Sequence, residues 1–134
     1  MKRFWNIKNE AGEVAELLIY GDIYDGWFSD TDSKQFAQAL KSITANEIRV
    51  RINSYGGEVF GAQAIYSSLK NHPARVVVHI DGIAASAATI IDMAGDHVVM
   101  PENAMLMIHN PLVATVGDAE ELRETADVLD KVRD

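Results

Sequence analysis

The chain has 134 residues, of which 48% are hydrophobic and 24% charged, and this length and composition predict a single globular domain over residues 1–134. Twelve basic and twenty acidic residues give a net charge of -8, which would repel phosphate backbones and anionic lipid headgroups, so nucleic acid is not expected as a partner. The absence of cysteine excludes disulfides and thiolate metal sites.

No membrane span or targeting segment is predicted. The longest apolar stretch, Ile83 to Ala94, is interrupted by polar residues and is shorter than the roughly 20 residues that a spanning helix needs. Lys2 and Arg3 are followed by the polar stretch Asn6 to Glu16, where a signal peptide would be apolar. We therefore expect a cytoplasmic protein that does not enter a membrane.

A strand and an amphipathic helix are predicted in the first third of the chain. The apolar run Leu17 to Tyr20, closed by Gly21-Asp22, is typical of a buried strand that ends in a turn. Apolar residues then recur at helical spacing from Phe36 to Ile43. Asp32 with Gln35 resembles a capping box at the start of this helix.

A second strand and helix follow. Apolar and charged residues alternate from Glu47 to Asn53, which predicts a strand with one buried face and with Arg49 and Arg51 on the other. After the glycine pair Gly56-Gly57, an apolar stripe from Val59 to Leu69 predicts a helix.

The centre of the chain is the most apolar part. The β-branched run Arg75 to Ile80 predicts a strand, and Ile83 to Ala94, apolar on nearly every side, predicts a buried helix. Val98 to Met100 and Met105 to His109 are interpreted as two short strands, the second stopped by Pro111. Strands and helices alternate, so the predicted class is α/β.

The last segment predicts an amphipathic helix in which the chain ends. Asp118 with Glu121 resembles a capping box, and Ala119 to Val132 carry an apolar stripe at helical spacing beside a mostly acidic face. We interpret the acidic face as solvated. The apolar stripe must be buried against something, which suggests another subunit.

Ser86 is the candidate nucleophile. It lies among four alanines, after a predicted strand and at the predicted start of a helix, where free N–H groups such as that of Ala87 could stabilise an oxyanion. From this segment alone, a serine that caps the helix is the preferred alternative. Gly56-Gly57, at another strand-to-helix junction, could supply a second close N–H donor, or it could be a plain turn.

His109 is the candidate base among four histidines. It ends a predicted strand, and strand ends in α/β folds gather side chains around a crevice. His72 and His97 are predicted at the surface, and His79 within a strand. No metal site or cofactor is predicted, because no ligand cluster with suitable spacing is visible.

Four blocks of sequence, in this order, resemble the Clp protease proteolytic-subunit family of serine peptidases. They are Asn53-Ser54-Tyr55-Gly56-Gly57, Asp81-Gly82-Ile83-Ala84-Ala85-Ser86, Met93-Ala94-Gly95 and Met107-Ile108-His109-Asn110-Pro111. The resemblance implies an endopeptidase with Ser86 as nucleophile, His109 as general base, and the N–H groups of Gly56 and Ala87 as the oxyanion hole. It also implies a ClpP/crotonase-like spiral of strand-strand-helix units with a C-terminal handle helix through which rings of identical subunits stack.

Tyr55, where housekeeping members have proline, makes the chain more similar to phage-type relatives that process capsid or scaffold proteins during head maturation. The resemblance thus implies protein substrates and, as partners, an AAA+ unfoldase or phage capsid and scaffold proteins, in the cytoplasm or in a prohead assembled there. The third catalytic residue of the family, an acid, follows the handle helix and is not matched. A crotonase-like acyl-CoA enzyme and a non-catalytic ring-forming subunit are the alternatives.

Overall fold

A parallel sheet with one antiparallel edge strand organises the computed structural model, which describes residues 3–109 and 115–133. Within these residues the strands are β1 (Trp5–Lys8), β2 (Val14–Tyr20), β3 (Glu47–Ser54), β4 (Arg75–Ala85), β5 (His97–Val99) and β6 (Met105–Met107). β1 pairs antiparallel with β2, and β2, β3 and β4 are parallel neighbours. β5 and β6 both pair in parallel with β4, β5 in its first half and β6 at its carboxyl end.

Helices connect the parallel strands. The helices of the described residues are α1 (Thr31–Lys41), α2 (Val59–Lys70), α3 (Ala88–Asp92) and α4 (Ala119–Arg133), and a 3-10 turn covers Trp27–Ser29. α1 links β2 to β3 and α2 links β3 to β4, as parallel pairing requires. The predicted α/β class and the C-terminal helix are confirmed.

The core follows the alternation that the sequence predicts. Ile48, Val50 and Ile52 of β3 are fully buried, whereas the residues between them are half-exposed. The helix stripe of α2 is buried as predicted, through Ala62, Ile65 and Leu69. Removing each of the isoleucine, valine and leucine side chains from water stabilises the fold by roughly 1.5–3 kcal/mol, which fixes the sheet beneath the loops that follow the strands.

The predicted capping box at Asp32 is wrong. Asp30 is the N-cap of α1 and makes no side-chain cap bond. The Asp32 carboxylate instead accepts hydrogen bonds from the indole N–H groups of Trp5 (3.0 Å) and Trp27 (3.2 Å) and from Nε of Arg3 (3.0 Å). Two buried indoles need an acceptor, and Asp32 satisfies both while tying β1 to α1.

The predicted buried helix from Ile83 to Ala94 is also wrong in its first part. β4 continues to Ala85, and α3 covers only Ala88–Asp92. Ile83, Ala84 and Ala85 are in register with Met105, Leu106 and Met107 of β6. Ladder hydrogen bonds to a second strand therefore outweigh the helical propensity of the alanines.

α4 has the predicted capping box. The N–H of Glu121 donates to Oδ1 of Asp118 (2.9 Å), and the N–H of Asp118 donates to Oε2 of Glu121 (3.1 Å). No residue of the helix is fully buried, and Leu122 is 44% exposed. Its apolar stripe is thus only partly covered within the described chain.

None of the helices in the described part of the chain combines the length and hydropathy needed to cross a membrane. The predicted stop at Pro111 lies outside the described residues.

Candidate active site

Ser86 lies immediately after β4 in a conformation that is uncommon for a residue with a side chain. Its φ is +56°, in the left-handed region. Its N–H donates to the carbonyl of Met107 (2.8 Å) and its own carbonyl accepts from the N–H of Thr89 (3.0 Å). Main-chain bonds on both sides therefore hold this strained residue at a sharp turn between strand and helix.

His109 lies beside Ser86 because of the strand register. Ala85 is paired with Met107, so the residues that leave the carboxyl ends of β4 and β6 enter the same space. Ser86 and His109 line one cleft of about 210 Å³, together with Val59, Thr89, Ile108 and Val132. Ser86 is half-buried and His109 is exposed. The structure thus brings the two predicted residues together in one cleft.

The glycine turn after β3 packs against this serine. Gly56 has a φ of +101°, and a Cβ added to it would lie 2.6 Å from the Ala85 carbonyl oxygen, 2.8 Å from the Ala87 nitrogen and 2.9 Å from Cβ of Ser86. Any side chain would therefore clash with backbone atoms. This close approach explains why glycine is required here.

A two-bond bridge fixes the same turn to the loop after β2. The N–H of Ile23 donates to the Gly56 carbonyl (2.8 Å), and the N–H of Glu58 donates to the Ile23 carbonyl (2.9 Å). Ile23 is buried, so the glycine turn is attached to a rigid part of the core. We name this pair of hydrogen bonds the Ile23 bridge.

The two predicted oxyanion donors, the N–H groups of Gly56 and Ala87, belong to these adjoining segments. The Gly56 N–H donates to Oγ of Ser54 (3.0 Å), which is buried, so a substrate oxygen would share or replace that acceptor. Among the residues that the structure describes, no acceptor is found for the Ala87 N–H. Without substrate, the Gly56 N–H thus has an acceptor within the described chain, and the Ala87 N–H has none there.

The helix that follows Ser86 is shorter than the sequence predicts, so its dipole contributes little to this site. α3 has five residues and begins at Ala88, after Ser86. A helix this short aligns few peptide groups. Individual N–H groups, rather than a helix macrodipole, are therefore the groups available to stabilise negative charge in the cleft.

Three polar residues form hydrogen bonds around the site, and the sequence predicts no role for any of them. Oδ1 of Asn53 accepts from the N–H of Ile83 (3.1 Å) across a register shift between β3 and β4, Ser54 holds the Gly56 N–H, and Thr89 bonds to Ser86. Asn53 and Ser54 belong to a sequence block quoted above, which is the signal that could have found them. Thr89 gives no such signal.

Asp92 at the end of α3 is a buried carboxyl without a hydrogen-bond partner in the described chain. Burial raises its pKa to about 7 from an ordinary value of 3.8. No charged side chain contributes to this shift. Asp92 is not among the residues that line the cleft of Ser86 and His109, and the raised pKa bears on the stability of the fold.

A charged network lies on the more exposed face of the sheet, opposite the face that is buried in the core. Arg51 donates to both carboxylate oxygens of Asp81 (2.7 and 3.0 Å), and the Tyr20 hydroxyl donates to the same carboxylate. Burial raises the pKa of Asp81, but these hydrogen bonds outweigh it and the net pKa is lowered. Arg51 therefore faces a partner within its own chain.

The remaining histidines lie away from the cleft. Nδ1 of His72 accepts from the Ala74 N–H (3.0 Å), and His97 is exposed in β5. Burial, followed by the charges of Arg51 and Arg49, lowers the pKa of His79. Residues 3–109 and 115–133 contain no group of three or more side chains that could hold a metal ion.

Comparison with known proteins gives consistent matches. The sequence matches the Clp protease family over residues 4–134. An ATP-dependent Clp protease proteolytic subunit from Leuconostoc citreum is 31% identical over 127 residues, covering 87% of this chain and 63% of that protein. The subunit of the same name from Ligilactobacillus salivarius is 34% identical over 138 residues, covering 98% of this chain and 68% of that protein.

The fold gives the same answer. A solved structure of a ClpP1 mutant from Listeria monocytogenes matches with a TM-score of 0.65 and 25% identity, covering 88% of this chain and 65% of that one. The chain spans about three fifths of the length of the first curated relatives that it matches, 63% and 58%. On the family match over nearly its whole length, together with these relatives, the chain belongs to the Clp protease family.

Proposed function

We propose that this protein is a serine endopeptidase in which Ser86 is the nucleophile and His109 the general base, with the N–H groups of Gly56 and Ala87 stabilising the oxyanion. One observation carries the proposal: the cleft lined by both Ser86 and His109. The close approach of Gly56 to the Ser86–Ala87 backbone supports the assignment of the donors. No cofactor is needed for this chemistry.

The reaction is acyl transfer in two halves. Oγ of Ser86 attacks the carbonyl carbon of the peptide bond while His109 takes its proton, and the two N–H donors bind the developing oxyanion. His109 then returns the proton to the leaving amine, which departs and leaves an acyl-enzyme. Water, activated by the same imidazole, releases the acid and regenerates Ser86.

The surroundings of the cleft favour an apolar substrate side chain. A groove of about 530 Å³ between the start of α2 and α4 is lined mainly by apolar residues, with Asp25, Glu58 and Thr125 also in its wall. The apolar residues include Ile23, Val59, Phe60, Val128, Leu129 and Val132. Val59 and Val132 also line the cleft, so the two spaces adjoin. An extended protein segment with an apolar residue next to the cleaved bond fits this arrangement.

Assembly into a homo-oligomer through α4 is part of the proposal. The apolar side chain of Leu122 is 44% exposed, and burying it in a second copy would remove this surface from water. From the sequence resemblance, including Tyr55, we also propose that the protein processes phage capsid or scaffold proteins, in the cytoplasm or in a prohead. Cooperation with an AAA+ unfoldase is proposed on the same basis.

A fluorophosphonate probe tests the assignment, because it forms a covalent bond only with an activated serine. We expect labelling of the wild-type protein, none of Ser86→Ala, and a strong reduction in His109→Ala. Ser67→Ala, a change of an exposed serine in α2, is the matched control and should be labelled like the wild type. Equal labelling of the wild type and Ser86→Ala would refute the proposal.

A further inference from the structure

The Ser86 carbonyl is held by two donors from one residue. The Thr89 N–H donates to it at 3.0 Å and the Thr89 hydroxyl at 2.6 Å. Any residue except proline could offer the N–H at position 89, whereas the hydroxyl bond requires threonine or serine. Thr89 is only 7% exposed, so water does not readily replace this bond.

The carbonyl that Thr89 holds belongs to the same peptide unit as the Ala87 N–H. A trans peptide group is planar, and its C=O and N–H point in opposite directions. Fixing the direction of the Ser86 carbonyl therefore fixes the direction of the Ala87 N–H. The Ala87 nitrogen lies on the side of Gly56, 2.8 Å from the position that a Gly56 Cβ would occupy.

The backbone of Ser86 is strained, and the hydrogen bond from the Thr89 hydroxyl helps to maintain its conformation. A serine with a φ of +56° is strained, and such a residue keeps its conformation only when surrounding contacts enforce it. The bond from the Ser86 N–H to Met107 fixes one of its two peptide groups. The two hydrogen bonds from Thr89 fix the other peptide group of Ser86.

We infer that Thr89 is a positioning residue for the oxyanion hole: its hydroxyl clamps the Ser86 carbonyl and so aims the Ala87 N–H at the substrate oxygen. The inference rests on the proposed function, since it assigns a purpose to one of the two donors. Thr89 does not touch the reacting atoms and acts through the Ser86–Ala87 peptide. Removal of its hydroxyl should slow acylation without weakening substrate binding.

The test compares Thr89→Val, which keeps the β-branched shape and loses the hydroxyl, with Thr89→Ser, which keeps the hydroxyl. Fluorophosphonate labelling is followed at several probe concentrations to separate the maximal rate from the half-saturating concentration. For Thr89→Val we expect a maximal rate lower by about tenfold, less than the 10²–10³ that losing a donor outright costs, and an unchanged half-saturating concentration. Thr89→Ser should restore most of the rate.

Ser42→Ala is the matched control, because the Ser42 hydroxyl also donates to a main-chain carbonyl, that of Gln38 at 2.9 Å, away from the cleft. It should be labelled like the wild type. A wild-type rate in Thr89→Val, or an equal loss in Thr89→Ser, would overturn the inference while leaving Ser86 as the nucleophile. A change confined to half-saturation would also overturn it.

A measurement without activity separates the inference from the proposed function. If the wild type is labelled no more than Ser86→Ala, the proposed function fails. The backbone ¹³C shifts of Ser86 and the exchange rate of the Ala87 amide then report the clamp directly. Shifts that leave the left-handed range in Thr89→Val and are retained in Thr89→Ser support the clamp, and identical spectra of all three proteins contradict it.

Discussion

Gly56 is a residue of the candidate site at which the structure leaves no room for a side chain. Its positive φ disfavours any side chain, and a Cβ would also press on the backbone of Ala85 and Ala87. Strain and steric clash therefore act together at one position. These two effects can be separated by experiment.

Gly56→Ala should reduce the rate of fluorophosphonate labelling by about 10² or more, the effect of losing an oxyanion donor. The reason is that the turn must move away from Ser86 to accommodate the methyl group. Gly26→Ala is the control, because Gly26 also has a positive φ, +85°, but open space around its Cβ position. Labelling of Gly56→Ala at the rate of Gly26→Ala would contradict the steric explanation.

Asp92 should make the protein less stable as the pH rises. In the folded state its pKa is raised to about 7 from the ordinary 3.8, so the carboxyl is neutral in both states at low pH. Above pH 4 the unfolded state loses the proton first, and the free energy of unfolding falls until the pH passes about 7. Stability from this group is thus present in acid and lost between these values.

Asp92→Asn should flatten this dependence, and the gain at pH 8 should reach a few kcal/mol, at roughly 1.4 kcal/mol per pKa unit. Urea unfolding at pH 5 and pH 8 measures it. Asp127→Asn, on the exposed side of α4, should leave the pH dependence unchanged. An unaltered profile in Asp92→Asn would show that the carboxyl does not titrate as expected.

At the scale of elements, the sequence predicts best where a pattern is decided locally. The alternation in β3, the stripe of α2 and the capping box of α4 involve near neighbours, and each prediction is confirmed. β1 and the first half of β2 are not predicted, because β1 forms a strand by pairing with β2, and Val14 and Ala15 do so by pairing with β3. Partners distant along the chain decide such segments.

The boundary between β4 and α3 shows the same limit inside the site. Alanines around Ser86 are compatible with a helix, and only pairing with β6 extends the strand to Ala85. The presence of Ser86 and His109 in one cleft could be expected from strand ends. The contact of Thr89 could not be, because it depends on where the strand stops.

Asp32 joins two elements, and its loss should loosen both. Asp32→Ala leaves the indole N–H groups of Trp5 and Trp27 without their acceptor, which should cost about 1–3 kcal/mol in the free energy of unfolding. Denaturant unfolding followed by tryptophan fluorescence measures this. Asp22→Ala, a change of an exposed aspartate, is the control, and equal stability of the two variants would rule out the anchoring role.

At the scale of the whole molecule, α4 is the least integrated element of the described chain. None of its residues is fully buried, although the side chains Leu129 and Val132 contribute to the groove. Its capping box maintains the helix locally. Apolar surface left outside the core in this way is available to a second copy.

Leu122→Asp should lower the mass of the proposed assembly, because a carboxylate on an apolar contact surface must lose its hydration. Sedimentation velocity at a fixed salt concentration measures the shift. Glu124→Gln changes an exposed residue of the same helix to another good helix former, and it should sediment like the wild type. If Leu122→Asp also sediments unchanged, α4 is not the contact between copies.

The Ile23 bridge has a consequence for how inhibitors could act. Ile23 forms part of the groove wall, and two hydrogen bonds join its backbone to the glycine turn. A compound that displaces this wall must also move Gly56, and so change the geometry around Ser86, the proposed nucleophile, without contacting it. Compounds of this kind would inhibit the proposed peptidase activity while leaving the Ser86 hydroxyl uncovered.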